Sequence, residues 1–213
     1  MALRIFSCAL VVALVGAGSA LADSDDPQRR ISPADQARAK AMLLRAADVP
    51  GYTAVHSTPP APDFDCPALD ESDLTLTGQA ASASFQQGDT SAGSAAQVFE
   101  SVADANASWR RRTSPAVERC ARALVKRGLR DSGGKLVSHG QVAFPRLAER
   151  TVAARLVVVV AGRRIETVTV VFTHRRAQAF ILLTAIGRPA PRAEVERLAR
   201  AVAARMQTAM RGA

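Results

Sequence analysis

Between Arg150 and Ile186 the chain carries three consecutive β-type runs, Arg150 to Val160, Arg164 to Thr173 and Gln178 to Ile186, and this stretch restricts the fold most. Val157-Val158-Val159-Val160 and Val168-Thr169-Val170-Val171-Phe172 are β-branched and aromatic, the types that suit a pleated, half-buried surface. Ala161-Gly162-Arg163 supplies a turn, since Gly162 tolerates positive φ, and His174-Arg175-Arg176-Ala177 supplies a polar break. Arg155, Arg163, Arg164 and Glu166 interrupt every window of about 18 residues, which excludes a transmembrane helix here. Thr167, Thr169 and Thr173 alternate with Val168, Val170 and Phe172, so one strand face is apolar and the other mildly polar. The pattern predicts an α+β domain. Its antiparallel sheet has about five to seven strands and ends in a C-terminal meander, with helices packed on one face and the other partly open.

The N-terminus reads as a secretory signal, residues 1–22. Arg4 starts it, Ala9 to Gly16 form the apolar stretch, and Ala20-Leu21-Ala22 give the small-residue cleavage pattern after Ala22. Retention of this segment as a membrane anchor is the alternative. Cys8 leaves with the signal. Residues 23–31 read as a disordered lead-in and 32–213 as a single domain. The chain is thus expected to be secreted or extracytoplasmic, at the cell envelope. In that setting the two remaining cysteines, Cys66 and Cys120, suggest a disulfide, with two free thiols as the alternative. The bridge would close a loop of about 55 residues, worth on the order of 4 kcal/mol.

The net charge of +9 admits an anionic envelope partner. The competing explanation is compositional: lysine occurs only at Lys40, Lys126 and Lys135 while arginine and alanine abound, as in the product of a GC-rich genome. Export and the lack of an aromatic stacking motif argue against nucleic acid. The expectation is an unknown ligand, contact with the membrane that is peripheral at most, and a monomer.

Ser32-Pro33-Ala34-Asp35 is a helix start, followed by a stripe of Ala39, Met42, Leu43 and Ala46. Pro59 to Asp73 is an acidic, proline-rich loop around Cys66. It matches no EF-hand spacing, so it reads as a solvated loop pinned by Cys66 or paired with nearby arginines. Leu74 to Thr77, Ala81 to Gln86 and Ala95 to Phe99 alternate as strands. Ser101 to Thr113 reads as a helix burying Val102, Ala105 and Trp109. A second helix from Ser114-Pro115 carries the stripe Val117, Cys120, Ala121, Leu124 and Val125. Lys135 to Phe144 is another strand. The last helix, from about Arg192 to Met210, presents Val195, Leu198, Ala199, Val202 and Met206.

Chemistry-bearing motifs are missing. His56, His139 and His174 stand apart without ligand spacing, so neither a metal nor a cofactor is expected. There is no G-x-S-x-G elbow and no glycine-rich phosphate loop. Arg155 and Glu166 form one candidate pair. A two-residue loop at Ala161-Gly162 makes them diagonal neighbours on one sheet face, while a three-residue loop puts them on opposite faces. A polar anchor in a cleft and an ordinary cross-strand ion pair are the two readings. Arg155, Glu166, Thr167 and Thr169 are the candidate ligand-binding residues.

The run Leu43-Leu44-Arg45-Ala46-Ala47-Asp48-Val49-Pro50-Gly51-Tyr52 resembles the L-L-x-x-x-D-L-P-G-W/Y opening of actinobacterial exported domains. With Val117-Glu118-Arg119-Cys120, the Phe144-Pro145 step and the valine-rich strand before His174-Arg175-Arg176, the chain from 33 to 210 is similar to the extracellular sensor domain of PknH-type kinases. The resemblance implies an antiparallel sheet with packed helices and a cleft for a ligand. It differs in having one possible disulfide where those domains usually have two, and no kinase. The expectation is an exported, non-enzymatic, sensor-like ligand-binding domain. A secreted hydrolase with a spatially assembled site and a structural envelope protein are the alternatives.

Overall fold

The computed structural model describes residues 26–55 and 66–212. The proposed signal, His56 and the Pro59 to Asp65 part of the acidic loop lie outside them. In chain order the elements are β1 (Gln28–Arg29), α1 (Pro33–Met42), β2 (Thr53–Val55), β3 (Thr75–Ala81), β4 (Ser84–Gln87), β5 (Thr90–Phe99), α2 (Val102–Arg112), α3 (Pro115–Asp131), β6 (Lys135–Val142), β7 (Arg150–Val160), β8 (Arg163–His174), β9 (Ala177–Ile186) and α4 (Arg192–Ala209). The main sheet runs β1-β3-β5-β9-β8-β7-β6, and β4 joins β5 while carrying β2 on its outer side. Every pairing is antiparallel except β1 with β3. This is the predicted α+β sheet with its C-terminal meander, but with nine strands among the described residues where about five to seven were expected, the short β1 and β2 extending its edges.

The β7–β8 hairpin closes with two residues. Val160 lies opposite Arg163, and the loop residues Ala161 and Gly162 have φ of 49° and 75°. Positive φ at both positions matches the right-handed twist of the flanking strands. Arg155 then lies opposite Val168 and Val157 opposite Glu166, so Arg155 and Glu166 share a face. Val168, Val170 and Phe172 share it too, and it is called the valine face below; Thr167, Thr169 and Thr173 define the threonine face.

The helices do not all lie on one face, as the sequence suggested. α1 and α4 cover the valine face, where Met42, Val98, Phe172, Ile181, Leu198, Val202 and Met206 form the main core. All five predicted stripe residues of α4 are buried, at about 1.5–3 kcal/mol for each large apolar side chain. α2 and α3 cover the threonine face, with Leu129 packed on Val158 and Ile165. Topology forces this second layer. Four antiparallel steps separate β5 from β6, so the two point the same way with three strands between them. Such a connection must cross a sheet face.

Two further readings need correction. The lead-in 23–31 is not wholly disordered: Gln28 and Arg29 pair with β3, the Gln28 N–H donating to Leu74 O at 2.8 Å and the Arg30 N–H to Leu76 O at 2.9 Å. Backbone donors beside an unpaired β3 edge outweigh the weak strand propensity of this segment. In α2 the buried residues are Ala105 and Ser108, whereas Val102 is 51% exposed and Trp109 half-buried. The helix is turned by a buried polar network described below.

Asp35 anchors α1. Ser32 Oγ accepts from its N–H at 3.2 Å, and its carboxylate accepts from Arg176 at 2.7 and 2.8 Å and from Arg38 at 2.6 Å. The helix start sits so close to β3 that a Cβ at Gly78 would meet Asp35 O at 2.3 Å. The hydrogen bonds from Arg176, helped by Thr77 and Arg38 against the cost of burial, hold the Asp35 carboxyl well below its ordinary range. A carboxylate depressed on folding contributes stability that is whole above its unfolded value, about pH 4, and fades as pH falls below it. Urea unfolding should therefore show wild type much more stable than Asp35→Asn at pH 7. The gap should narrow below about pH 4; a gap that stays constant down to pH 2 would contradict this role for the pair.

Candidate functional site

The disulfide joins the acidic loop to α3. Cys66 and Cys120 are bonded, with Cα atoms 5.8 Å apart. Cys66 caps a short 3-10 turn, Pro67–Leu69, and the chain then lays Glu71 and Asp73 against α2. Asp73 accepts from Arg111 at 2.5 and 2.7 Å at the surface. Glu71, only 2% exposed, accepts from Arg112 Nε at 3.0 Å, from Arg112 Nη2 at 2.5 Å and from Ser108 Oγ at 2.6 Å. Ser108 also contacts Gln178 on β9, whose Nε2 donates to Ala105 O at 2.8 Å. The acidic loop is thus both pinned by Cys66 and paired with arginines. This network is what turns the Ala105, Ser108 and Arg112 side of α2 toward the sheet.

Arg112 ends at the edge of a cleft. Its guanidinium carbon lies 5.5 Å from the centroid of the Phe180 ring, a cation–π geometry. Val152, Ala154, Val171 and Phe180 form the floor on the threonine face, and Val117 and Ala121 of α3 form the roof. The polar lining comes from Arg112, Glu118, His139, Gln141 and Thr169, around a cavity of about 100 Å³. Burial pushes the His139 imidazole pKa down, more strongly than Glu118 pushes it up. Its Nδ1 is buried without a hydrogen-bond partner among the described residues. Ser114 also lines the cleft, but its Oγ accepts from the Val117 N–H and caps α3. The arrangement offers a partly open, mainly apolar slot with an anchored guanidinium at its edge, which suits binding and orientation.

The structure does not bring the four predicted ligand residues together. Thr169 lines the cleft. Thr167 is 2% exposed, and its hydroxyl is hydrogen-bonded to that of Thr184 at 3.0 Å. Arg155 and Glu166 lie on the valine face beside a separate cavity, where Glu166 accepts from Arg164 at 2.6 Å. Arg112, Phe180 and His139 were not singled out from sequence. The available signal was Ala105-x-x-Ser108-x-x-x-Arg112, a small-and-polar stripe at helical spacing. Among the described residues no group of three His, Cys, Asp or Glu side chains is placed to hold a metal, and no helix is long and apolar enough to cross a membrane.

No protein-family model matches the chain, and no curated protein matches its sequence. Among solved structures, an uncharacterized protein of Mycobacterium smegmatis, an Rv0999 ortholog, aligns at 12% identity and a TM-score of 0.45, covering 81% of this chain and 98% of the other. The extracellular domain of PknH from Mycobacterium tuberculosis aligns at 10% identity and a TM-score of 0.47, covering 81% and 96%. These are loose likenesses, and the functional assignment below rests on the site instead.

Proposed function

We propose that this is an exported, non-enzymatic, sensor-like domain that binds an amphiphilic component of the cell envelope in the cleft under α2 and α3. The carrying observation is a slot with an apolar floor whose edge cation, Arg112, is held in place by Glu71 on a disulfide-pinned segment. The apolar body of the ligand lies on Val152, Ala154, Val171 and Phe180, and its acidic or polar end meets Arg112 Nη1, which has no acceptor among the described residues. Charge around the site favours an anionic end. Arg119, Lys126, Arg127 and Arg130 are exposed along α3 without an acidic partner among the described residues, whereas α4 pairs Arg192 and Arg200 with Glu196. The disulfide supports an extracytoplasmic location. The domain acts as a monomer, peripheral to the membrane.

Thermal unfolding of the chain from Asp23 onward tests this against fatty acids, lysophospholipids and glycans. At a ligand concentration near 100 Kd, the midpoint should rise by roughly 5–10 °C with the amphiphiles. Ala154→Trp, which fills the slot, or the milder Ala154→Phe should remove the shift. A midpoint unmoved by the whole panel, or one moved equally in the filled variants, would refute the assignment.

A further inference from the structure

The second cavity, about 220 Å³, lies on the valine face between β7, β8, the segment following β6, and the start of α4. Glu166 is on its floor, 4% exposed. One carboxylate oxygen, Oε2, accepts from Arg164, while Oε1 has no hydrogen-bond partner among the described residues. Arg155, across the diagonal of the β7–β8 register, also lines the cavity. It forms no ion pair or hydrogen bond among the described residues, with Glu166 or with any other group. At the rim stands the first turn of α4, whose N-cap Pro191 provides no side-chain cap; Pro191 O accepts from the Glu194 and Val195 N–H groups, and the positive end of the helix dipole lies beside the cavity. Phe144, Val168 and Val195 supply apolar walls.

A buried carboxylate with a spare oxygen calls for a donor, and an unpaired guanidinium near an uncapped helix start calls for an acceptor. A plain anion would face Glu166, and a plain amine would face Arg155. One small molecule that carries both charges satisfies both. We infer that this cavity is a binding site for a compact zwitterion of the α-amino-acid kind. The ligand's ammonium donates to Glu166 Oε1, its carboxylate accepts from Arg155, and a short apolar side chain lies against Phe144, Val168 and Val195. The site lies on the opposite sheet face from the amphiphile cleft and does not depend on it.

Calorimetric titration of the mature chain tests the site with three probes of one skeleton: L-leucine, 4-methylpentanoic acid, which lacks the amine, and 3-methylbutylamine, which lacks the carboxylate. Leucine should bind saturably, and each half-molecule about tenfold or more weaker, because each loses one charge-assisted contact. Arg155→Ala should weaken leucine by about the same factor, as should Glu166→Gln. If Glu166→Gln loses its cooperative unfolding transition, Arg155→Ala decides alone, since Arg155 is exposed and its removal leaves the fold intact. Absence of leucine binding at about 10 mM, acid binding as tight as leucine, or an unaffected Arg155→Ala would each overturn the inference.

Discussion

Replacing Cys66 and Cys120 together with alanine should lower unfolding stability by on the order of 4 kcal/mol, seen as a reduced urea midpoint that added reductant no longer changes. The bridge joins positions 54 apart in sequence, and a loop of that size restricts the unfolded chain strongly. The loss should extend to the cleft. Cys66 leads directly into the segment that brings Glu71 to Arg112, so freeing it raises the entropy cost of forming that pair. Amphiphile binding should weaken in the same variant. A double alanine variant with wild-type stability and wild-type binding would show that the segment is held by other contacts.

Glu71→Ala should cost about 3–5 kcal/mol, because it leaves the Arg112 guanidinium in a largely dry site without its counter-charge. The Arg112 side chain is 16% exposed and that of Glu71 2%. The double variant Glu71→Leu with Arg112→Met should recover much of the loss, since an apolar pair of similar volume is often as stable as a buried ion pair. Asp89→Ala is the contrast. Its partner Arg163 is 57% exposed and Asp89 itself 59%, and an exposed pair contributes about 1 kcal/mol or less. Urea denaturation of the three variants separates the cases. A Glu71→Ala cost no larger than that of Asp89→Ala would mean the network is solvated.

The strands and the C-terminal helix were readable because each has one dominant period. Val168 to Phe172 alternates at period two, and Val195, Leu198, Val202 and Met206 recur at helical spacing. The hairpin register was ambiguous because Ala161 is not a residue that advertises positive φ, yet it adopts 49° beside Gly162. The orientation of α2 was misread for a different reason. Val102 and Trp109 are its most hydrophobic residues, but the helix buries Ser108 and turns Arg112 toward Glu71, a residue far away in sequence. Side-chain pattern cannot show a face buried through long-range polar pairing. The threonines were ambiguous in the same way. Their alternation suggested an open sheet face, whereas the β5-to-β6 crossover lays α2 and α3 over it and leaves only a cleft.

Amide chemical-shift mapping of the isotope-labelled chain from Asp23 onward during titration with a long-chain fatty acid would show where such a ligand binds. Binding under α2 and α3 predicts saturable shifts at Val152, Ala154, Thr169, Val171 and Phe180 and at Val117 on the roof, with α1 and α4 undisturbed. Shifts confined to the α1 and α4 side, or none at saturating ligand, would contradict the assignment.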